Sequence, residues 1–271
     1  MTPNDFNMIR EILKKRSGLT LGEDKGYLLE SRLVPVARVH GMKTLDDVVA
    51  KVRAAPSEQL LEDITDAMTT NESFFFRDNK PFDLFRDNIL PHLLQARAGQ
   101  RSFRIWCAAA SSGQEPYSLA ILLKEAERQL SGWRVEIVGT DISKVILERA
   151  KAGKYTQFEV QRGLPIQLLV KYFDKQGEHW TIKPDVRSMV TFKEYNLLDN
   201  LTPLGKFDIV FCRNVLIYFD QPTKKGVLEK IAGLMPSDGS LFMGGAETVL
   251  GITDKFEPVA GQRGIYKLTG K

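Results

Sequence analysis

The residues best suited to chemistry form a turn of small side chains, Ala109-Ala110-Ser111-Ser112-Gly113-Gln114-Glu115-Pro116-Tyr117-Ser118, which follows the apolar run Phe103 to Ala108 and opens into a helix pattern. Small residues let backbone amides approach a ligand closely, and a helix N-terminus favours a negative group there. The turn holds one glycine and lacks the GxGxxG fingerprint, which argues against a nicotinamide dehydrogenase. A second apolar run, Val135 to Thr140, ends in Asp141, about 25 residues further on, where an acid commonly binds a ribose hydroxyl pair. A glycine-poor turn followed by such an acid points to a nucleoside ligand other than a dinucleotide.

Other chemistries are disfavoured. His40, His92 and His179 have no second ligand at helical or CxxC-like spacing, so no metal is expected. Cys107 and Cys212 each close an apolar run and read as small buried thiols, adjacent only if their strands are neighbours. No apolar stretch approaches the ~20 residues that cross a bilayer, and the first fifteen residues lack the apolar centre of a signal peptide. A cytoplasmic protein is expected. The net charge is +4, with Lys14, Lys15, Arg16, Arg32, Arg38, Arg53, Arg97 and Arg101 gathered early in the chain. They form either a solvated surface or a docking face for an acidic partner.

The elements that position these residues follow from periodicity. Apolar residues at helical spacing predict helices over Phe6 to Lys15, Leu45 to Val52 and Leu60 to Met68, then Pro81 to Ala98. Short runs rich in Ile, Val and Phe predict strands buried on both faces at Phe103 to Ala108, Val135 to Thr140, Val190 to Tyr195, Phe207 to Cys212 and Ser240 to Gly244. Helical patterns at Glu115 to Leu130, Ser143 to Lys151 and Thr223 to Met235 lie between them, which predicts a twisted, mainly parallel α/β sheet. Two departures are expected. Lys171 to Asp174, His179 to Lys183 and Val186 to Val190 read as a small antiparallel insertion within about 154–190, and Phe256 to Ala260 with Ile265 to Leu268 reads as a closing hairpin.

Four segments, TNESFFFR (70–77), WCAAASSGQEPYSLA (106–120), GTDIS (139–143) and FDIVFCRNVLIYFD (207–220), resemble in order and spacing the hallmark segments of CheR-type receptor glutamate methyltransferases. The resemblance implies a Rossmann-like class I methyltransferase sheet of seven strands with the last antiparallel, an N-terminal helical domain over 1–80, and a catalytic domain over 81–271 that carries a small antiparallel β-subdomain. It implies S-adenosylmethionine as cofactor and S-adenosylhomocysteine as product. By position, Asn71, Ser73 and Arg77 would lie beside the methionine part, Glu115 after the glycine turn, and Asp141 on the ribose. Asn196 and Leu197 would lie near the adenine, Asn214 and Val215 along the cofactor, and Tyr218 near the reacting methyl. Arg77 and Tyr218 would orient and stabilise; a glutamate acceptor, with an ordinary pKa of ~4.3, is already ionised and needs no base.

The implied partner is the cytoplasmic domain of chemotaxis receptors, whose acidic methylation helices would meet Arg32, Arg38 and their neighbours, with a receptor tail peptide added to the β-subdomain in some family members. Nucleic acid and membrane insertion are not expected. A base methyltransferase is the alternative, but the segment at Asn214 lacks the prolines of an Asn/Asp-Pro-Pro-Tyr/Phe motif. A receptor-binding adaptor without turnover is a second alternative; each cofactor contact type present speaks against it.

Overall fold

Polar caps start the helices of the N-terminal region. Thr2 and Thr44 each accept from the amide three residues on, while Asp5 and Asp47 return a carboxylate to the cap, satisfying two orphan donors at once. The helices Pro3–Ser17, Gly26–Val39, Leu45–Ala54 and Glu58–Met68 bury Ile9, Leu13, Leu29, Leu33, Val48, Leu60 and Ile64 together. The sequence predicts three of the four. Gly26–Val39 carries Pro35 in its interior, where proline costs about 3 kcal/mol, and burial of Leu29, Leu33 and Val36 offsets it.

The computed structural model describes residues 2–270; residues 1 and 271, the outer ends of the two predicted domains, lie outside the described residues. Two units result, Met1–Thr70 with Tyr218–Lys224, and Asn71–Ile217 with Lys225–Lys271. The division falls at 70, ten residues before the expected 80, for a local reason. Phe75 and Phe76 are buried in the core of the second unit, and the Phe76 amide donates to the Ser118 hydroxyl at 3.0 Å. Tyr218–Lys224 belongs to the first unit. There Thr20 donates to the Tyr218 carbonyl at 2.8 Å, and the Lys14 ammonium, 2.7 Å away, leads the groups that hold the Asp220 carboxyl down to about 2.

The second unit is built on a seven-stranded sheet. Its strands are β1 Ser102–Ala108, β2 Arg134–Asp141, β6 Val190–Glu194, β7 Ile209–Cys212, β8 Ser240–Met243, β9 Phe256–Pro258 and β10 Ile265–Leu268; β3 Lys154–Thr156, β4 Phe173–Gln176 and β5 His179–Ile182 form a separate antiparallel sheet. The order is β6-β2-β1-β7-β8-β10-β9, parallel except that β10 runs against both β8 and β9. This is the class I methyltransferase sheet with its last strand antiparallel. The five predicted parallel strands and the closing hairpin all form. Phe211 of β7 stacks on Phe242 of β8 at 4.3 Å between centroids, so the sheet centre is continuous apolar packing.

The insertion departs from its prediction. Its third strand is Lys154–Thr156, while Pro184–Arg187 is a short helix ahead of β6, where the predicted piece Val186 to Val190 begins. Proline at a first helical position favours that start. Cys107 and Cys212 do lie on neighbouring strands, but Cys107 pairs with Phe211 and Cys212 with Ala108, which turns the two thiols to opposite faces. Burial pushes both thiols up.

Most of the early basic residues are engaged within the protein. Arg16 pairs with Glu58, Arg53 with Asp5, and Arg97 with Asp208 and Asp238. Arg32 donates from Nη1 to both the Met68 and Thr69 carbonyls, at 2.8 and 2.9 Å, capping the helix Glu58–Met68. Lys15 and Arg38 are exposed.

Candidate active site

β1 leaves the sheet through a turn in which every second residue is left-handed: Ala109 at φ 65°, Ser111 at 50° and Gly113 at 92°. For alanine and serine this conformation costs on the order of 1–3 kcal/mol each and persists only where neighbours impose it. Here they do. Ala110 donates to the Thr140 carbonyl at 2.8 Å, the Ser111 amide to the Asp141 carboxylate at 2.9 Å, and the Ser111 hydroxyl to the Asn71 carbonyl at 2.8 Å. A Cβ on Gly113 would meet Ala150, Phe192 and Tyr117 at 3.1 Å each, so glycine is needed for space as well as φ. Ala110, Ser111 and Gly113 spend their amides on Thr140, Asp141 and Ala110, which shapes the turn, and the N-terminus of the helix Gln114–Glu125 directly behind it is the part that suits an anion. These residues fit a cofactor that carries a carboxylate.

Asp141 ends β2 as expected and also receives the Ser143 amide at 3.0 Å. The Tyr195 amide donates to the Asp141 carbonyl at 2.9 Å, which brings Asn196 and Leu197 to the same edge. Asn196 closes its own turn by accepting the Leu198 amide at 3.0 Å, and Leu197 is buried. One carboxyl edge of β1, β2 and β6 thus gathers Asn71, Glu115, Asp141, Asn196 and Leu197.

Glu115 is buried against an arginine that the sequence reading did not assign. Arg213 follows β7 with its side chain 1% exposed, donating to Glu115 at 2.8 Å, to Asp78 at 2.7 Å and to the Arg77 carbonyl at 2.9 Å. Its Nε is buried without a hydrogen-bond partner. Burial pushes the Glu115 carboxyl above its ordinary range, and Arg213 pulls it back. Arg213 therefore fixes both the start of the helix Gln114–Glu125 and the backbone that carries Arg77. The one charge directly after the buried run Ile209–Cys212 is the sequence signal for it.

The loop after β7 has a second unassigned support. The Glu247 carboxylate accepts four amides: Asn214 at 2.7 Å and Gly244 at 2.8 Å on one oxygen, Val215 at 3.0 Å and Ile217 at 3.2 Å on the other. Asn214 is left-handed at φ 59°, a conformation asparagine tolerates better than most residues. An acid in a Gly-Gly-Ala-Glu turn gives no local hint of this task.

The remaining predicted residues are placed as follows. Phe75 and Phe76 are core, whereas Phe74 is half-buried beneath the Arg77 guanidinium, 5.3 Å from the ring centre. Arg77 donates to the Glu72 carbonyl at 3.0 Å, within its own segment, and Ser73 is half-buried beside it. Tyr218 lies in the turn Leu216–Tyr218 and is grouped with the helical unit, while Arg77 is grouped with the sheet unit.

Residues 71–265 match the family described as CheR methyltransferase, SAM binding domain, and residues 4–69 match CheR methyltransferase, all-alpha domain. The chain is 43% identical over 265 residues to the chemotaxis protein methyltransferase Cher2 of Pseudomonas putida, covering 96% of both chains. It is equally identical, with the same coverage, to chemotaxis protein methyltransferase 1 of Pseudomonas aeruginosa. The chemotaxis protein methyltransferase of Vibrio parahaemolyticus is 39% identical over 272 residues, 99% of this chain and 98% of that one.

Proposed function

Since the chain belongs to the CheR methyltransferase family and is an S-adenosylmethionine-dependent methyltransferase of chemotaxis, we propose that its acceptors are glutamate carboxylates of bacterial chemoreceptors, converted to methyl esters. The observation that carries this reading is the gathering of three separate segments, around Asn71, Gly113 and Asp141, on one sheet edge, held by bonds from Ser111 to both Asn71 and Asp141. A base-methylating enzyme draws no support from the family or these relatives.

When bound, S-adenosylmethionine supplies a methyl group on a sulfonium leaving group. The residues that would hold it are Asn71, Ser73 and Arg77 at the methionine end, the turn through Gly113 with Glu115, Asp141 at the ribose, Asn196 and Leu197 at the adenine, and Asn214 and Val215 along its length. A guanidinium such as that of Arg77 offers a planar fork for a carboxylate. An acceptor carboxylate arrives ionised, so the protein's work is alignment and exclusion of water rather than proton removal. The receptor's acidic methylation helices are the proposed partner, met by exposed cations such as Lys15 and Arg38 of the helical unit, with the cytoplasm as the place of encounter. A receptor tail peptide adding to the small sheet β3-β5-β4 is the remaining element of the proposal. Among the described residues no helix is long and apolar enough to cross a membrane.

Purified receptor cytoplasmic domains incubated with methyl-labelled cofactor should take up label that alkali releases as methanol. Alkali-stable label would mean nitrogen or carbon methylation and would overturn the ester. Tyr218 is assigned an orienting role, so Tyr218→Phe should lower kcat about tenfold, the effect of losing one hydrogen bond of roughly 1.4 kcal/mol in the transition state, and leave S-adenosylhomocysteine affinity intact. Unchanged turnover removes Tyr218 from the catalytic set.

A further inference from the structure

Two guanidinium groups share one aromatic ring at the edge of the site. The Cζ atom of Arg162 lies 4.3 Å from the centre of the Phe74 ring and that of Arg77 lies 5.3 Å from it, so the cations are no further apart than about one Debye length, roughly 10 Å at 0.1 M salt. Like charges this close repel, and each gains from the ring face only in part. Glu72 relieves the repulsion with a carboxylate 2.7 Å from Arg162, in a pair whose side chains are 57% and 42% exposed respectively. An ion pair so wet is weak and exchangeable.

The backbone beneath it is not loose. Gly163 is left-handed at φ 85°, and a Cβ there would run into the Phe75 carbonyl oxygen, so the loop of the insertion lies directly on segment 71–77. A fixed backbone, a planar fork in solvent, and an easily displaced internal carboxylate describe a reader of carboxylates.

We propose that Arg162 determines substrate specificity by gripping a second carboxylate of the methyl-accepting polypeptide, near the one that is methylated, and that Glu72 occupies Arg162 in its absence. This rests on the glutamate-ester reading above. Acids three or four residues apart on a helical acceptor stand about 5–6 Å apart at Cβ, so a helix rich in acids can place one at the point of methylation and bring a second to Arg162.

The test measures methyl transfer by the full-length protein to a receptor cytoplasmic domain, with S-adenosylhomocysteine binding followed separately by calorimetry. Arg162→Gln should raise KM for the receptor about fivefold, the loss expected of one exposed charge contact, with kcat and S-adenosylhomocysteine affinity unchanged. Arg162→Lys should fall between, keeping charge but losing the fork. Glu72→Gln should lower KM by vacating Arg162. A wild-type KM in Arg162→Gln overturns the proposal, as does loss of S-adenosylhomocysteine affinity, which marks a purely structural clamp. Should Arg162→Gln fold poorly, a Glu72→Gln KM at or above wild type overturns it equally. Wild-type protein that esterifies no receptor domain sinks both this proposal and the reading beneath it, whereas normal wild-type turnover with an unaffected Arg162→Gln sinks this one alone.

Discussion

Arg213→Met lowers the free energy of unfolding by about 3–5 kcal/mol, the cost of removing one partner from a buried ion pair. The loss comes chiefly from Glu115, which stays buried at the start of its helix with no cation beside it; Asp78 is half exposed and contributes little. The pH dependence identifies the cause. In the intact protein burial already raises the Glu115 carboxyl, against the pull of Arg213, and removing Arg213 raises it further. A carboxyl raised by folding binds more protons folded than unfolded, so stability falls as pH rises from the ordinary glutamate range towards the folded value. The deficit of Arg213→Met against wild type is therefore smallest at acid pH and larger at pH 8 than at pH 5. Adding Glu115→Gln to Arg213→Met should restore part of the stability and flatten this dependence. Urea unfolding at the two pH values checks it. A deficit that is equal at both, or one that Glu115→Gln deepens, means that the buried charge is not the cause.

The sequence and the structure agree where a residue's environment follows from its own neighbours along the chain. The apolar runs of β1, β2, β6, β7 and β8 are strands because nothing but a doubly covered sheet buries them, and Asp141 is found where the run before it ends. The small residues at Ala109 to Gly113 were legible as a tight turn between β1 and its helix, though its left-handed residues are imposed by Asp141 and Asn71 from other segments. Where partners are distant in sequence, the reading fell short. Arg213 could be seen as a charge after a buried strand, but its pairing with Glu115 spans 98 positions, and the Glu247 bond to the Asn214 amide spans 33. Val186 to Val190 misled because the strand preference of Val186 is overridden by Pro184 at the first helical position, after which the Val186, Arg187 and Ser188 amides turn back onto the Lys183 and Pro184 carbonyls. Arg32 shows the same limit, since its contacts with the Met68 and Thr69 carbonyls lie 36 and 37 positions away.

Glu247→Gln weakens S-adenosylhomocysteine binding by roughly 10–100-fold, although it changes only one atom of the side chain. Each carboxylate oxygen serves two amides, Asn214 and Gly244 on one, Val215 and Ile217 on the other. Whichever way a glutamine amide is turned, its NH2 group faces two N–H donors and can accept from neither. Two donors then lack a partner, at about 1–3 kcal/mol each where water is kept out and less where it enters. Asn214 and Val215 are both predicted cofactor contacts, and Asn214 must be held left-handed, so the loop relaxes in the free variant and has to be reordered on binding. The cost thus falls on affinity more than on folding. Hydrogen exchange at the Asn214 and Val215 amides should accelerate in parallel. Gly244→Ala should act in the same direction, since a Cβ there would stand 2.7 Å from the Glu247 carboxylate and 2.8 Å from the Asn214 side-chain nitrogen. If calorimetry finds Glu247→Gln within twofold of wild type while those amides exchange faster, the loop is not part of the cofactor site, and Asn214 and Val215 lose their assigned role.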